Sequence, residues 1–336
     1  MRLTVALLML AAWLLTGCAP PEEAANGRIS LAVGGTEVAG SPGSENWQQF
    51  QAVVEASSEP IDLRMLIRGQ LGSEEQLLSG LRRGRVQIAS MSALAASALV
   101  PELTVLYAPF LFADEAEADY VLDNHLAEPL EALLAEQGLH VVQWHEIGFH
   151  HVYAREPLLS PADFRNRRFR VSNSIAAQVF AQSLGSDVIS MGFADVVPAL
   201  QTRMIDAGEN AVPYYARTGI AEQAPHFVLT GHALGMNLVL ANRDWWLAQP
   251  PDVRELLTAA FPDREAIRRQ VRAANAAELE AAGDIGFRVH VPDEATLARW
   301  REVTMPAHEL LLEQAGGRSR DIYAVALAGR DAWRAR

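Results

Sequence analysis

Short apolar runs alternate with amphipathic stretches along the first half of the chain. The apolar runs predict strands at residues 29–33, 61–67, 86–89 and 139–144. Apolar positions at helical spacing predict helices at residues 44–56, 74–84 and 129–137. Ser73-Glu74-Glu75-Gln76 is a capping box for the second of these helices. Strands that alternate with helices in this way predict an α/β sheet.

The second half continues this alternation without a detectable sequence repeat. Helices are predicted at residues 175–184, 194–204, 263–282, 294–315 and 319–334. Strands are predicted at residues 227–241 and 287–291. A further strand is predicted where Phe169 and Val171 alternate with Arg168 and Arg170, so that one face of the strand is charged.

The N-terminus has the pattern of a targeting segment. Arg2 supplies a short positive region, and the apolar run at residues 3–15 is too short for a comfortable membrane span. Leu15-Thr16-Gly17-Cys18 matches a bacterial lipobox, which predicts a signal peptide at residues 1–17, a lipid on the cysteine and a tether at residues 18–27. The protein would then be periplasmic or extracytoplasmic and anchored to the membrane. An ordinary secretory signal that happens to contain a cysteine is the alternative.

Composition narrows the classes of partner. The chain has 336 residues, long enough for two lobes, and its 41 acidic residues outnumber 28 basic ones, all of them arginine. The formal net charge is −13, which makes nucleic acid a poor candidate because its binding depends on contacts to phosphates. One well-placed arginine can still bind a small anion. Cys18 is the only cysteine, so an internal disulfide is excluded.

Several ordered motifs surround Arg170. It stands in Arg167-Arg168-Phe169-Arg170-Val171-Ser172-Asn173, after Ser160-Pro161-Ala162-Asp163-Phe164, which predicts a short helix. The other motifs, in chain order, are Val100-Pro101-Glu102-Leu103-Thr104-Val105-Leu106, Pro109-Phe110-Leu111-Phe112, Ala199-Leu200-Gln201-Thr202 and Gly208-Glu209-Asn210-Ala211-Val212-Pro213. With these motifs, from about residue 70 to residue 246, the chain resembles the substrate-binding proteins of TRAP transporters, the DctP-like family.

The resemblance implies a two-lobe, periplasmic-binding-protein-like α/β fold with crossing strands and a long interlobe helix. Lobe one is expected at residues 27–147 plus 235–275, lobe two at 148–234 plus 276–303, and C-terminal helices that pack on the lobes at 304–336. Ligands of the family bind in the cleft between the lobes, which closes over them. The resemblance also implies a receptor, not an enzyme, that needs no cofactor and delivers a small organic acid to the membrane subunits of a TRAP permease.

Two residues are implied as direct ligand contacts. The strand arginine of the family pairs with the carboxylate of the ligand, which points to Arg170; a guanidinium matches a carboxylate with two parallel hydrogen bonds. The alternative is a surface arginine on an edge strand. The asparagine of the family commonly hydrogen-bonds the ligand, which points to Asn210, while Glu209 is expected to hold an arginine or a backbone amide. The alternative is that Gly208-Glu209-Asn210 forms a turn.

His150 is a departure from the family pattern. Many members have Gly-Phe-Arg where this chain has Gly148-Phe149-His150, and that arginine often helps to neutralise the ligand. A histidine is mostly neutral at pH 7. We therefore expect a ligand with one strongly paired carboxylate, a monocarboxylate more than a dicarboxylate, with His150 contacting the remainder. The alternative is a strand residue outside the pocket.

Other candidate pocket residues follow strands or turns that approach the ligand in the family. They are Ser90, Ser92, Asn46, Trp47 and Gln70. Phe193, Tyr214 and Phe110 are candidates for apolar walls, although a core position suits each of them equally well.

Rival functions have weaker signals. His145 and His150 flank Glu146 but are five residues apart, about 140° round a helix, whereas a zincin helix has its histidines four apart. The surroundings predict strand–turn–strand with the turn at Gly148, and no metal site. A nucleophile elbow and a phosphate-binding glycine loop are both missing. The alternatives are an ABC-type or sensory binding protein for another small ligand and, less favoured, a periplasmic hydrolase.

Overall fold

The computed structural model describes residues 27–336. The predicted signal peptide, the lipobox residue Cys18 and most of the predicted tether lie outside the described residues. Within them, no helix is both long enough and apolar enough to cross a membrane.

One mixed sheet of nine strands runs through the described part of the chain. The strands are β1 Ile29–Gly34, β2 Ile61–Leu66, β3 Ile88–Ser92, β4 Leu139–Ala154, β5 Arg168–Val171, β6 Asp187–Ser190, β7 Ala207–Ala211, β8 His226–Asn242 and β9 Arg288–His290. Their order is β2-β1-β3-β8-β4-β7-β5-β6, and β9 pairs with β8. The α/β class is as the residue pattern predicts, and the two-lobe fold is as the family resemblance implies.

Helices connect most of the strands. They are α1 Pro42–Ala56, α2 Glu74–Arg82, α3 Ala93–Ala96, α4 Glu115–Val121, α5 Ala127–Glu136, α6 Ile175–Ser183, α7 Val196–Gln201, α8 Val212–Ala216, α9 Ile220–Gln223, α10 Arg243–Ala248, α11 Pro251–Ala259, α12 Arg264–Glu280, α13 Ala282–Ile285, α14 Glu294–Thr304, α15 His308–Ala315 and α16 Ser319–Arg334. Shorter 3₁₀ segments are Pro101–Tyr107, Pro161–Phe164, Phe193–Asp195 and Met305–Ala307, and Leu122–Leu126 is a π segment. The predicted capping box of Ser73 and Gln76 begins α2.

Strands β4 and β8 carry the chain between the lobes. They are 16 and 17 residues long and pair antiparallel along their length. Towards one end β8 also pairs with β3, and towards the other β4 pairs with β7. The predicted turn at Gly148 is wrong: β4 continues through it, with a register shift between Glu146 and Gly148. Gly148 has φ +93°, which suits glycine, so the extra residue is absorbed as a bulge.

The predicted helix at residues 294–315 is also interrupted. Helix α14 ends at Thr304, the 3₁₀ segment Met305–Ala307 follows, and α15 begins at His308. Pro306 lies in this segment, and proline has no N–H for the helical ladder and clashes with the preceding turn. The C-terminal helices therefore bend round the molecule; α16 packs on α4 and on the 3₁₀ segment Pro101–Tyr107.

Several hydrophobic clusters pack against the sheet. In one cluster, Trp47, Phe50 and Phe261 pack with ring centroids 4.7 to 5.1 Å apart. In another, Phe164 packs edge-on against Phe169 and Trp300. Such aromatic pairs contribute about 0.5–1.5 kcal/mol each beyond the apolar area that they bury.

Ion pairs connect the long helix α12 to strand β4, to helix α4 and to the π segment Leu122–Leu126. Arg272 lies 2.6 Å from Glu146 of β4 and 2.7 Å from Asp119 of α4. One turn earlier, Arg268 lies 2.6 Å from Asp123. Helix α12 therefore supports the middle of β4 close to the bulge at Gly148.

Candidate ligand-binding site

Arg170 is a buried cation on β5, next to the edge strand β6. In the sheet register it lies between Gly208 of β7 and Ile189 of β6, and it is 4% exposed. Its Nη2 donates to the carbonyl oxygen of Met191 at 3.1 Å, whereas its Nε has no partner among the described residues. No carboxylate in the described part of the chain lies within 4.0 Å of this guanidinium. Arg170 therefore makes no direct ion pair with residues 27–336, and the nearby carboxylates of Glu74, Glu75 and Glu209 act on it only at longer range.

Tyr153 and Asn210 lie on the same face of the sheet as Arg170. Tyr153 and Arg170 both pair with Gly208, and Asn210 is two residues further along β7, so its side chain points to the same face. A Cβ on Gly208 would collide with the Tyr153 hydroxyl, so the glycine makes room for that ring. Asn210 is on a strand, which excludes the turn considered above, and its Oδ1 accepts from the N–H of Ala211 at 2.9 Å.

Glu209 and His150 lie on the opposite face. His150 is two residues before Val152, which pairs with Glu209 in the register. Both side chains are buried, and Nδ1 of His150 is hydrogen-bonded to Oε2 of Glu209, while Nε2 of His232 lies 4.0 Å from the same oxygen. Burial opposes ionisation, but the charge and the hydrogen bond of His150 lower the pKa of Glu209 to about 2. Glu209 therefore holds a histidine, not the arginine or backbone amide expected from the resemblance.

The first lobe contributes Glu74, at the start of α2. Its carboxylate accepts from the N–H and the hydroxyl of Ser92 at 2.6 and 2.8 Å. Burial raises the pKa of Glu74, and the bonds from Ser92 and the charge of Arg170 oppose the increase. The neighbouring Glu75 accepts a 3.1 Å hydrogen bond from Asn173 of the second lobe. The two lobes are thus in contact at the edge of the cleft.

Glu37 is a second carboxylate of the first lobe, in the loop after β1. It is 6% exposed, and the hydroxyl of Ser90 donates to its Oε1 at 2.5 Å. The indole N–H of Trp47 donates in turn to the Ser90 oxygen at 3.3 Å. Burial raises the pKa of Glu37, partly offset by the hydrogen bonds. No arginine or histidine of the described residues lies within 4.0 Å of this carboxylate.

A small cavity of about 20 Å³ lies beside Glu37. Asn46, His145, Tyr214 and Asn237 contribute to its walls. Asn46 is 2% exposed and its Nδ2 has no partner, while the hydroxyl of Tyr214 accepts from Nδ2 of Asn237 at 3.3 Å. A polar space of this size has room for about one water-sized group.

The remaining predicted pocket residues lie in different surroundings. Trp47 is fully buried in the core and touches the cleft region only through its bond to Ser90. Phe193 packs edge-on against Tyr214, with ring centroids 5.7 Å apart. Gln70 is exposed, and its Oε1 accepts from a backbone N–H two residues earlier at 2.6 Å.

The sequence pattern did not single out Glu37, Glu74 or Tyr153. Glu37 follows the carboxyl end of a strand in an α/β sheet, which is a usual ligand position, so the signal was present. Glu74 is the first helical residue of the capping box that the sequence shows. Tyr153 carries no local signal, because an aromatic residue in a strand is most often part of a core.

A comparison with protein families gives a match over most of the chain. The family model described as "DctP: Bacterial extracellular solute-binding protein, family 7" matches residues 33–314. The matched segment includes Glu37, Glu74, Arg170 and Asn210.

Individual proteins match over similar lengths. The 2,3-diketo-L-gulonate-binding periplasmic protein YiaO of Escherichia coli K12 is 28% identical over 218 residues, 65% of this chain and 66% of the relative. The C4-dicarboxylate-binding periplasmic protein DctP of Rhodobacter capsulatus is 25% identical over 280 residues, 82% of this chain and 84% of the relative. The crystal structure of the sugar acid binding protein DctPAm from Advenella mimigardefordensis, in complex with galactonate, has a TM-score of 0.83 at 25% identity and covers 90% of this chain and 99% of its own.

Proposed function

The chain belongs to bacterial extracellular solute-binding protein family 7, and on this premise we propose that it is the receptor of a TRAP transporter for a small organic acid. The family consists of transport receptors, not enzymes, and its members above bind 2,3-diketo-L-gulonate, C4-dicarboxylates and a sugar acid. The observation that carries the proposal is the buried guanidinium of Arg170, which makes no direct ion pair with a carboxylate of the described residues. A ligand carboxylate would form that ion pair.

The arrangement around Arg170 suits a carboxylate. Nε and one terminal nitrogen of a guanidinium can donate two parallel hydrogen bonds to the two carboxylate oxygens. Asn210 lies on the same face, and its Nδ2 is a donor for either oxygen. The hydroxyl of Tyr153 is buried without a partner on that face and adds a third donor. The second lobe thus offers donors where the carboxylate would lie.

Closure of the cleft would depend on contacts from both lobes. Arg170 and Asn210 belong to the second lobe, whereas Glu74 belongs to the first and feels the charge of Arg170. A ligand that touches both sides binds the closed form more tightly than the open form, and so shifts the population towards it. The closed receptor would then present the acid to the membrane subunits of the permease.

We propose a ligand with a single carboxylate. His150 uses its Nδ1 for Glu209 on the opposite face, which leaves Arg170 as the cation on the face of Asn210. This selectivity departs from the C4-dicarboxylate relative.

We propose the lobe boundaries implied by the resemblance, at residues 147/148 and 234/235. Gly148 and Gly235 are paired in the register of β4 and β8, beside the bulge. Two glycines side by side make both crossing strands easiest to bend at the same level. The hinge would lie there.

We also propose that the lipobox is used and that Cys18 carries a lipid. Growth with a radiolabelled fatty acid should label the wild type and not Cys18→Ser, which should be released from the membrane. Equal labelling of the wild type and Cys18→Ser, or equal release of the two from the membrane, would contradict the proposed lipid anchor.

A thermal-shift screen tests the proposed receptor function. Mono-, di- and hydroxycarboxylic acids should be compared with neutral sugars and zinc at equal concentrations. Binding to the folded state raises the midpoint of unfolding, so we expect stabilisation by a subset of acids, with monocarboxylates strongest. Stabilisation by zinc or neutral sugars with none by any acid would refute the proposal.

A further inference from the structure

A cavity of about 530 Å³ lies beside the proposed hinge. Phe149 and His151 of β4, which follow the bulge at Gly148, form part of its wall together with Gly231 of β8. Its volume is in the range of small-molecule sites, about 300–1,000 Å³. The residues proposed to bind the acid lie elsewhere, because the wall contains none of Arg170, Asn210, Glu74 and Glu37. The cavity is therefore a second concave site.

On the proposed boundaries, both lobes contribute to this wall. Phe110 and Phe112 belong to the first lobe, whereas Leu297 and Arg301 of α14 belong to the second. The lobes touch at the edge of the cleft in this structure, so the cavity has this shape when the cleft edge is closed. Hinge motion changes the distance between walls on different lobes. A molecule that fits the cavity would therefore favour this arrangement of the lobes over an open one.

Part of the wall is apolar. Aromatic and aliphatic side chains form it, namely Phe110, Phe112, Phe149, Leu279, Leu297 and Met305. Phe110 has φ +55°, a backbone conformation that is unfavourable for a residue with a side chain, and its N–H donates to the carbonyl oxygen of His232 at 2.7 Å. The guanidinium of Arg301 lies 5.7 Å from the centre of the Phe110 ring. These contacts keep the ring in the wall.

The polar part of the wall is rich in arginine, although the protein is acidic. Four arginines and one glutamate contribute to it, namely Arg272, Arg301, Arg330, Arg334 and Glu115. The side chain of Arg330 is 12% exposed, its Nε has no hydrogen-bond partner among the described residues, and its ion pair with Glu117 is 3.7 Å long. Arg334 donates to the same Glu117 oxygen at 2.9 Å. An anion in the cavity would give Arg330 a closer partner.

His151 adds a neutral donor to the wall. Its Nδ1 accepts the backbone N–H of Gly231 at 2.9 Å, so the proton of the neutral ring is on Nε2. Burial lowers the pKa of His151 to about 3, and the ring is therefore neutral at physiological pH.

We propose that this cavity is an effector site for a small amphipathic anion, whose anionic group binds Arg330 and whose apolar body packs on Phe110, Phe112 and Phe149. Its occupation stabilises the closed arrangement of the lobes and so strengthens binding of the acid in the cleft. The effector role rests on the proposed function, whereas the site itself does not. A fully polar anion would leave the aromatic wall in water, and a cationic amphiphile would be repelled by the arginines.

Calorimetric titration with octanesulfonate tests the site. The matched probes are methanesulfonate, which lacks the apolar body, and octyltrimethylammonium, which has the opposite charge. We expect octanesulfonate to bind at least about 10-fold more tightly than either probe. It should bind Arg170→Ala as it binds the wild type, because Arg170 is not in the wall. Equal affinity for the three probes, or loss of octanesulfonate binding in Arg170→Ala, would overturn the site.

Two variants change the cavity in independent ways. Arg330→Gln removes the charge, and Ala276→Phe adds a ring at an exposed position of the wall on α12. Each should weaken octanesulfonate at least about 10-fold. The controls are Arg320→Gln, exposed on α16 and paired with Glu309 at 2.9 Å, and Ala277→Phe, exposed on α12 outside the wall. Unchanged affinity in both cavity variants would overturn the site.

A second titration tests the effector role. The acid that binds the wild type best should bind at least about 5-fold more tightly in saturating octanesulfonate. This gain should be absent in Ala276→Phe, whose affinity for the acid alone should match the wild type. Unchanged or weaker acid binding with octanesulfonate bound would overturn the effector role. No binding of any acid would overturn the proposed function, and the octanesulfonate titrations, which use no acid, would still decide the site.

Discussion

At the scale of single residues, the second lobe contains a buried arginine without a direct ion pair in the described chain and a buried histidine that is bound to a carboxylate. Arg170 has no carboxylate within 4.0 Å among residues 27–336, whereas His150 is hydrogen-bonded to Glu209. Loss of the two side chains should therefore have different consequences: loss of Arg170 should affect ligand binding, and loss of His150 should affect the stability of the fold.

The buried pair of His150 and Glu209 can be tested by stability. His150→Leu should lower the free energy of unfolding by about 3–5 kcal/mol, because it leaves the Glu209 carboxylate buried without a partner. Replacement of both residues by leucine should restore most of this loss, since an apolar pair often equals a buried ion pair. Urea unfolding of the single and double variants measures the difference. An equal loss of unfolding free energy in the single and the double variant would show that the side chains of His150 and Glu209 are not coupled.

His145 should make stability fall with acidification. Burial lowers its pKa to about 4, from about 6.5 when unfolded, so above pH 6.5 both states are neutral and nothing is lost. As the pH falls from 6.5 towards 4, only the unfolded state takes up the proton, which costs about 2 kcal/mol between pH 7 and 5. The Nε2 of His145 has no hydrogen-bond partner that a substitution would remove. His145→Phe should therefore reduce this loss of stability by about 2 kcal/mol. An unchanged pH profile in urea unfolding would contradict the assignment.

The residues of the site differ in how far the sequence reveals them. Arg170 and Asn210 stand in local motifs, and the structure places them on one face of the sheet. Glu37 is polar like many surface glutamates, and its burial depends on Ser90, 53 residues later in the chain. Burial that arises from a distant contact leaves no mark in the local pattern.

At the scale of elements, the pattern predicted seven of the nine strands and the longer helices except α11, but it missed β6, β7, α10 and α11 and two interruptions of the backbone. Gly148 was expected to end a strand, but β4 absorbs it as a bulge. Pro306 was not expected to break a helix, but it separates α14 from α15. In the first case the partner strand β8 decides the outcome, and a single sequence does not show which strands pair.

Gly148→Ala should destabilise the protein at the proposed hinge. The residue has φ +93°, and a Cβ there would collide with the side chain of Asn275. We expect a loss of about 1–3 kcal/mol in the free energy of unfolding. Gly283→Ala, in a short helix with open space around it, should be neutral or stabilising by up to about 1 kcal/mol. The same loss in both variants would mean that the bulge is not strained by a side chain.

At the scale of the whole molecule, the interleaving of the lobes is what local propensity could not predict. Strand β8 comes late in the chain but lies between β3 and β4 in the sheet. The resemblance implied crossing strands, because family topology is global information that a residue pattern lacks. Helix α12 also comes late in the chain, and the ion pair of Arg272 with Glu146 connects it to β4.

Contact between the lobes should contribute to ligand retention. Asn173→Ala removes the hydrogen bond to Glu75 across the cleft edge, together with the bond that its Oδ1 accepts from the hydroxyl of Ser190. We expect dissociation of the bound acid to become about 2–5-fold faster, the value of one exposed hydrogen bond of about 0.5–1 kcal/mol. Asn124→Ala, an exposed change in the first lobe, is the control. Stopped-flow measurement of the off-rate compares them, and equal rates would argue against this contact as a latch.

The most direct test of the central claim is a calorimetric titration of Arg170→Ala with the acid that binds the wild type best. The guanidinium is the proposed counter-ion of the carboxylate, and loss of a buried charged partner costs about 3 kcal/mol or more, so affinity should fall at least about 100-fold. The matched control is Arg168→Ala, on the same strand but exposed and paired with Asp206 at 2.7 Å, which should bind as the wild type does. Affinity of Arg170→Ala within 3-fold of the wild type, with the fold intact by circular dichroism, would contradict the account.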